Sequence, residues 1–156
     1  MKYLFIAILL SSSLSALANP AGQFIGKYSV APSQGQTECR LGVDATRAYI
    51  SLNGSPSGMK VLSIRSFGIE SRMTEIPVET GLRQAPGSRE QDQVIERVSV
   101  TFPTPKSMRV SVRTEAPHMK SFEEVTTLAL QGGVLVVNNR KSSDPRLNSS
   151  CVLTKK

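Results

Sequence analysis

Beyond residue 19 the chain alternates apolar and polar residues far more often than it repeats them at helical spacing, the pattern of strands buried on one face. Val98, Val100 and Phe102 fall on one face of an extended segment, with Arg97, Ser99 and Thr101 on the other. Met108, Val110 and Val112 repeat this against Arg109, Ser111 and Arg113, and Pro103-Thr104-Pro105 between the two runs predicts a hairpin. Further strands are predicted over 24–30, 38–43, 47–52, 59–67, 69–76, 122–130, 134–139 and 150–154. Asn53-Gly54, Gln131-Gly132-Gly133 and the segment 142–145 have the composition of turns.

Two stretches compete with this pattern. Ser88-Arg89-Glu90-Gln91 has the form of a helix capping box, and Met119, Phe122, Val125 and Leu128 recur at three-residue intervals. The strand-like Val98-Ser99-Val100-Thr101-Phe102 follows the first, and β-branched Val125-Thr126-Thr127 disfavours helix in the second, so both read as strand. The segment 77–93, with Gly81, Pro86 and Gly87, reads as the longest irregular stretch and an exposed loop. No internal repeat or second domain is visible. About ten short antiparallel strands leave few open edges when the sheet closes, so the expected fold is a single all-β, up-and-down antiparallel barrel of about 8–10 strands, with a β-sandwich as the alternative. An immunoglobulin-type sandwich fits poorly: there is no tryptophan, and the two cysteines are too far apart in sequence.

The first 18 residues change the picture. Lys2, the apolar run 3–10 and the small-residue site Ala16-Leu17-Ala18 have the zones of an export signal, cleaved to leave residues 19–156 as one domain. The apolar run is too short to span a bilayer, so no transmembrane anchor is expected, and the location is periplasmic or secreted. Export implies an oxidising compartment, where Cys39 and Cys151, near the two ends of the mature chain, are expected to form a disulfide.

Phe24-Ile25-Gly26-Lys27-Tyr28, just inside the mature start and followed by hairpin-linked strands, resembles the opening motif of lipocalin-like (calycin) barrels, with tyrosine where that family usually has tryptophan. The family's Thr-Asp-Tyr loop motif is absent. The resemblance implies a barrel open at one end and a small apolar ligand within. Gly26 and Tyr28 read equally well as a strand glycine permitting close packing and a half-buried aromatic.

Catalytic arrangements are sparse. His118 is the only histidine and sits between two strands in Pro117-His118-Met119, where it reads as an exposed turn residue. No Gly-x-Ser-x-Gly elbow or glycine-rich phosphate loop occurs, and the aspartates Asp44, Asp92 and Asp144 lie near turns. No catalytic residue, metal site or cofactor is assigned. Polar residues on inward faces are more informative: Glu96 shares the parity of Val98 and Val100, and Glu124 and Thr126 share that of Phe122, Leu128 and Leu130. In a solid core these groups would be costly, so they belong at strand ends, at bulges or around a wet pocket suited to a cationic or hydroxyl-rich ligand. Glu123 and Glu124 point to opposite faces and form no catalytic pair.

The outside of the predicted hairpin collects Arg97, Arg109 and Arg113, with Lys106 and Lys120 nearby, in a chain of net charge +7. This face is either solvated exterior charge or a surface for an anionic polymer. Nucleic acid is not an expected partner of an exported chain with so few polar aromatics. The expected protein is a monomeric, non-catalytic binding protein holding a small molecule or an envelope component. The alternative is an inhibitor of a secreted hydrolase, presenting the 77–93 loop with Arg83 or Arg89 as the inserted residue. Asn53 and Asn148 begin Asn-x-Ser sequons that matter only in a eukaryotic secretory route.

Overall fold

A computed structural model of the chain describes residues 19–31, 45–68, 71–86, 88–89 and 92–156. Ten strands appear in it: β1 (Gly26–Val30), β2 (Arg47–Gly54), β3 (Lys60–Phe67), β4 (Arg72–Pro77), β5 (Gly81–Gln84), β6 (Ile95–Thr104), β7 (Ser107–Ala116), β8 (Met119–Gln131), β9 (Val134–Lys141) and β10 (Ser149–Lys155). They form one antiparallel sheet in the order β4-β3-β2-β1-β10-β9-β8-β7-β6-β5. The expected all-β class holds, in one sheet rather than two packed ones. β4 and β5, consecutive in the chain, are its two edges, and no ladder joins them, so the sheet is not closed into a barrel.

Strand parity follows the alternation. Ala48 and Ile50 of β2, Leu62 and Ile64 of β3, Val98 of β6, Met108 and Val110 of β7, Leu128 of β8, Leu135 of β9 and Leu153 of β10 are buried in one cluster that draws on every strand except β5. Neighbouring strands lie about 4.8 Å apart, so a flat sheet of ten would hold its outer strands too far apart to share a cluster. The sheet therefore curls around its inner face. Turn chemistry assists: Gly132 and Gly133 both have positive φ (55° and 83°) in the two-residue β8–β9 hairpin, as a type I′ turn requires.

One end of the curl is plugged. Asn19 accepts the Ala21 N–H through Oδ1 at 3.0 Å, and Pro20 opens a 3-10 turn over Pro20–Phe24 that buries Ala21 and Phe24 completely. The Tyr28 hydroxyl, from β1, donates to the Phe24 carbonyl at 2.8 Å and ties the plug to the sheet. Gly26, between them, has φ +154°, and a Cβ there would come within 3.0 Å of the Lys155 side chain. At this same end the 78–80 link crosses from one edge towards the other: the Val78 N–H donates to the Lys60 carbonyl, and the Val100 N–H to Thr80 Oγ1 at 2.9 Å.

Several expectations need correction. The segment 77–93 is not irregular throughout, because Gly81–Gln84 forms β5 by adding to the edge of β6 (Arg83 opposite Glu96). Val78 in it is buried. The predicted strand over 24–30 starts two residues later, after the 3-10 turn, and of the strand predicted over 69–76 residues 69–70 lie outside the described residues while the rest forms Arg72–Pro77. The β6–β7 hairpin turns on Pro105-Lys106, one step beyond the predicted Pro103-Thr104-Pro105, with an irregularity between Thr101 and Thr104 that absorbs the shift. The helical spacing of Met119, Phe122, Val125 and Leu128 is overridden by strand β8, as read. The predicted strand over 38–43, residue Cys39 and the signal segment 1–18 lie outside the described residues.

Candidate functional site

Towards the end of the curl opposite the plug, the same parity that supplies the core turns polar. Register pairs Val112 with Glu124 and Glu124 with Lys141, then Val110 with Thr126 and Thr126 with Asn139. These inward positions, with Thr114 and Phe122, line a cavity of about 730 Å³. Ile64 and Ile76 supply apolar wall from the β3–β4 side, and Arg83 and Glu96 bring in the opposite edge. The cavity is thus lined from both edges of the open sheet.

Glu96, Glu124 and Thr126 all stand at the cavity, the arrangement their parity predicted. Glu96 Oε2 accepts from Arg83 Nε at 2.7 Å and lies 2.7 Å from Arg83 Nη2, with side chains only 8% (Arg83) and 13% (Glu96) exposed. The ionised donor and acceptor make this a charge-assisted hydrogen bond. Asn139 Nδ2 donates to Glu124 Oε1 at 2.9 Å and to Thr126 Oγ1 at 2.8 Å. Asn139 itself is 4% exposed, and its Oδ1 has no hydrogen-bond partner among the described residues. Lys141 Nζ lies 5.0 Å from the Phe122 ring centroid, within cation–π range.

Asn139, Lys141 and the inward Arg83 were missed in the sequence. The first two follow Leu135 and Val137 at two-residue steps along β9, so the alternation carried to the strand's end would have found them. Arg83 was hidden because 77–93 read as loop; it faces the cavity and is not presented outward as an inserted residue. Arg89, in the same segment, is exposed.

The Arg83–Glu96 pair yields a stability prediction. Glu96→Ala leaves a nearly buried guanidinium without its carboxylate and is expected to lower stability by roughly 1–3 kcal/mol, moderated because the cavity admits water. Joint replacement of Arg83 and Glu96 by methionine should cost less than either single replacement. Urea denaturation of the three variants measures this; a double variant that loses the sum of both singles would show that the two side chains act independently.

Arg97, Arg109 and Arg113 do share the outer face of β6 and β7, all exposed. Arg97 stands opposite Arg113, but Glu115 Oε1 lies 3.8 Å from Arg97 Nε and 3.3 Å from Arg113 Nε. Arg113 also donates to Ser121 Oγ at 3.2 Å, and Glu123, opposite Arg113 on β8, accepts from Ser111. Two glutamates therefore interrupt the positive face. The opposite orientation of Glu123 and Glu124 is as read: Glu123 is outside and Glu124 inside.

His118 is exposed in the tight β7–β8 turn. Asn53 is exposed at the end of β2 and donates to Ser51 Oγ, whereas Asn148 Oδ1 accepts the Lys141 N–H at 2.9 Å. Among the described residues no group of three or more His, Cys, Asp or Glu side chains converges to hold a metal ion, and no helix is long and apolar enough to cross a membrane. Cys151 lies buried on the inward face of β10 and contributes to the cavity wall. No protein-family model matches the chain, and no curated protein matches it.

Proposed function

We propose that this chain is an exported, non-catalytic binding protein that holds a small amphipathic molecule inside its curled sheet. The cavity of about 730 Å³ carries the reading. Its volume falls in the range of small-molecule sites, and its wall combines apolar side chains such as Ile64, Ile76, Val110 and Phe122 with polar and charged ones such as Arg83, Glu96, Glu124 and Asn139. Periplasmic or secreted location follows from the signal-like first 18 residues. In this reading the sheet behaves as a lipocalin-like barrel, its plug formed by the 3-10 turn before Gly26-Lys27-Tyr28 and its seam running between β4 and β5. A Cys39–Cys151 disulfide is part of this reading, with Cys151 on β10 at the cavity wall.

The interior is favoured over the outer arginine face because Asn139 and the Arg83–Glu96 pair are withdrawn from solvent at one cavity, whereas Arg97 and Arg113 already face Glu115 in solvent, where such pairs contribute little. Native mass spectrometry of the protein from its own source tests the proposal. The expected spectrum shows the processed chain plus one small organic molecule, released on denaturation and absent from a folded Val112→Trp variant whose indole fills the cavity. Bare processed chain in the native spectrum, or an adduct that persists in the folded Val112→Trp variant, would overturn it.

A further inference from the structure

The outer face of β1 to β4 carries a second surface, apart from the cavity. Tyr28, Ala48, Ile50, Leu62, Ile64 and Ile76 point into the core, so the residues between them point out. Register sets Lys27 beside Tyr49, Tyr49 beside Arg65 and Arg65 beside Met73, one row across four strands, about 14 Å long at the usual strand spacing. Arg47 beside Phe67 forms the next row. All six side chains are exposed, with Tyr49 at 43%, Phe67 at 39% and Met73 at 57%. Cationic and apolar side chains therefore alternate along both rows. Further towards the plug, Val61 and Ser63 of the same face are buried and bound the patch.

Charge separates this face from the arginines of β6 and β7. There Arg97 and Arg113 share Glu115, whereas among the described residues Lys27, Arg47 and Arg65 have no carboxylate partner. Glu75, two residues beyond Met73 on β4, is the only acidic side chain among the described residues on the outer face of these four strands. Three unpaired cations attract anions from outside the chain, and ammonium and guanidinium groups suit phosphate. Phe67 and Met73 have no hydrogen-bond donor to offer a hydrated sugar polymer, and their exposed apolar area gains most from acyl chains. We propose that this face docks the protein peripherally on a membrane surface rich in anionic phospholipid. Lys27, Arg47 and Arg65 meet the phosphates, and Tyr49, Phe67 and Met73 enter the head-group layer.

Cosedimentation of the processed protein with vesicles tests this. Vesicles of phosphatidylglycerol and phosphatidylcholine in equal parts are expected to bind about a hundredfold more tightly than pure phosphatidylcholine, since each of three cations near an anionic surface contributes about fivefold. Arg47→Glu with Arg65→Glu should remove most of that preference. Lys106→Glu with Arg140→Glu reverses two exposed cations outside the patch, changes the net charge equally and should leave the preference in place. Tyr49→Ser with Phe67→Ser should weaken binding about tenfold and remove what survives in about 0.5 M NaCl, where the charge attraction is screened. If the first reversal fails to fold, Arg47→Gln with Arg65→Gln reads the same loss. No binding to either vesicle, equal binding to both, equal effects of the two reversals, or no effect of Tyr49→Ser with Phe67→Ser overturns the proposal. Protein that ignores vesicles but is held on dextran sulfate through Arg47 and Arg65 overturns it in favour of an anionic polymer.

Discussion

Phe24→Ala is expected to destabilise the protein by about 3–5 kcal/mol, a large part of the net stability of a domain this size. The ring is fully buried in the cluster joining nine strands, and it sits in the 3-10 turn that plugs the end opposite the cavity. Truncating it leaves a void that the curled sheet around it cannot collapse to fill. It also frees the 3-10 turn, whose Phe24 carbonyl takes the Tyr28 hydroxyl. Tyr28→Phe separates the two effects, removing the hydrogen bond while keeping the ring, and should cost about 1 kcal/mol. Burial pushes the Tyr28 hydroxyl above the ordinary tyrosine value of 10.0, because the folded state disfavours the phenolate. Its contribution is therefore fully present below pH 10.0 and is lost as pH rises through the raised folded value. Tyr28→Phe should accordingly flatten the alkaline fall in stability. Denaturant titrations of the three proteins from neutral to alkaline pH measure both effects; a loss below about 1 kcal/mol in Phe24→Ala would mean that the plug is not coupled to the core.

What could be read from the sequence depended on how much of each strand's identity lies in its own residues. β6 and β7 announce themselves, because inward Val98 and Val110 alternate with charged or hydroxyl side chains over long runs. Gly81–Gln84 does not, with one apolar side chain, Leu82, that stays exposed; only the backbone edge of β6 makes it a strand. The 3-10 plug escaped for a related reason. Asn19-Pro20 is a capping signal, but it lies where the mature chain was expected to begin.

Within the site, parity alone placed Glu96, Glu124 and Thr126 on the inside, since a side chain two residues from a buried one shares its face. Their partners come from β5 and β9, and which strand lies beside which is a property of topology. Cavity or filled core is a question of curvature. That follows from the sum of ten strand twists and the grip of the 78–80 link, and no local pattern encodes it.

Loss of the Cys39–Cys151 cross-link is expected to cost about 4–5 kcal/mol, since the bond would close a loop of roughly 110 residues and most of that chain's freedom returns on unfolding. The location of Cys151 makes the expected effect more than entropic. It is buried on β10 between Val137 of β9 and the strand β1 that follows the plug, so the bridge would be anchored at the cavity wall. Cys39→Ala is the cleaner variant, because Cys151→Ser also places a hydroxyl among apolar neighbours and adds its own cost. The processed protein should have an intact mass lower by the two hydrogens lost on oxidation. Its denaturation midpoint should fall in Cys39→Ala and on reduction by a thiol, by equal amounts. Two titratable thiols in protein taken from its own source, or a Cys39→Ala midpoint equal to that of the wild type, would leave the curled sheet to stand on its packing alone.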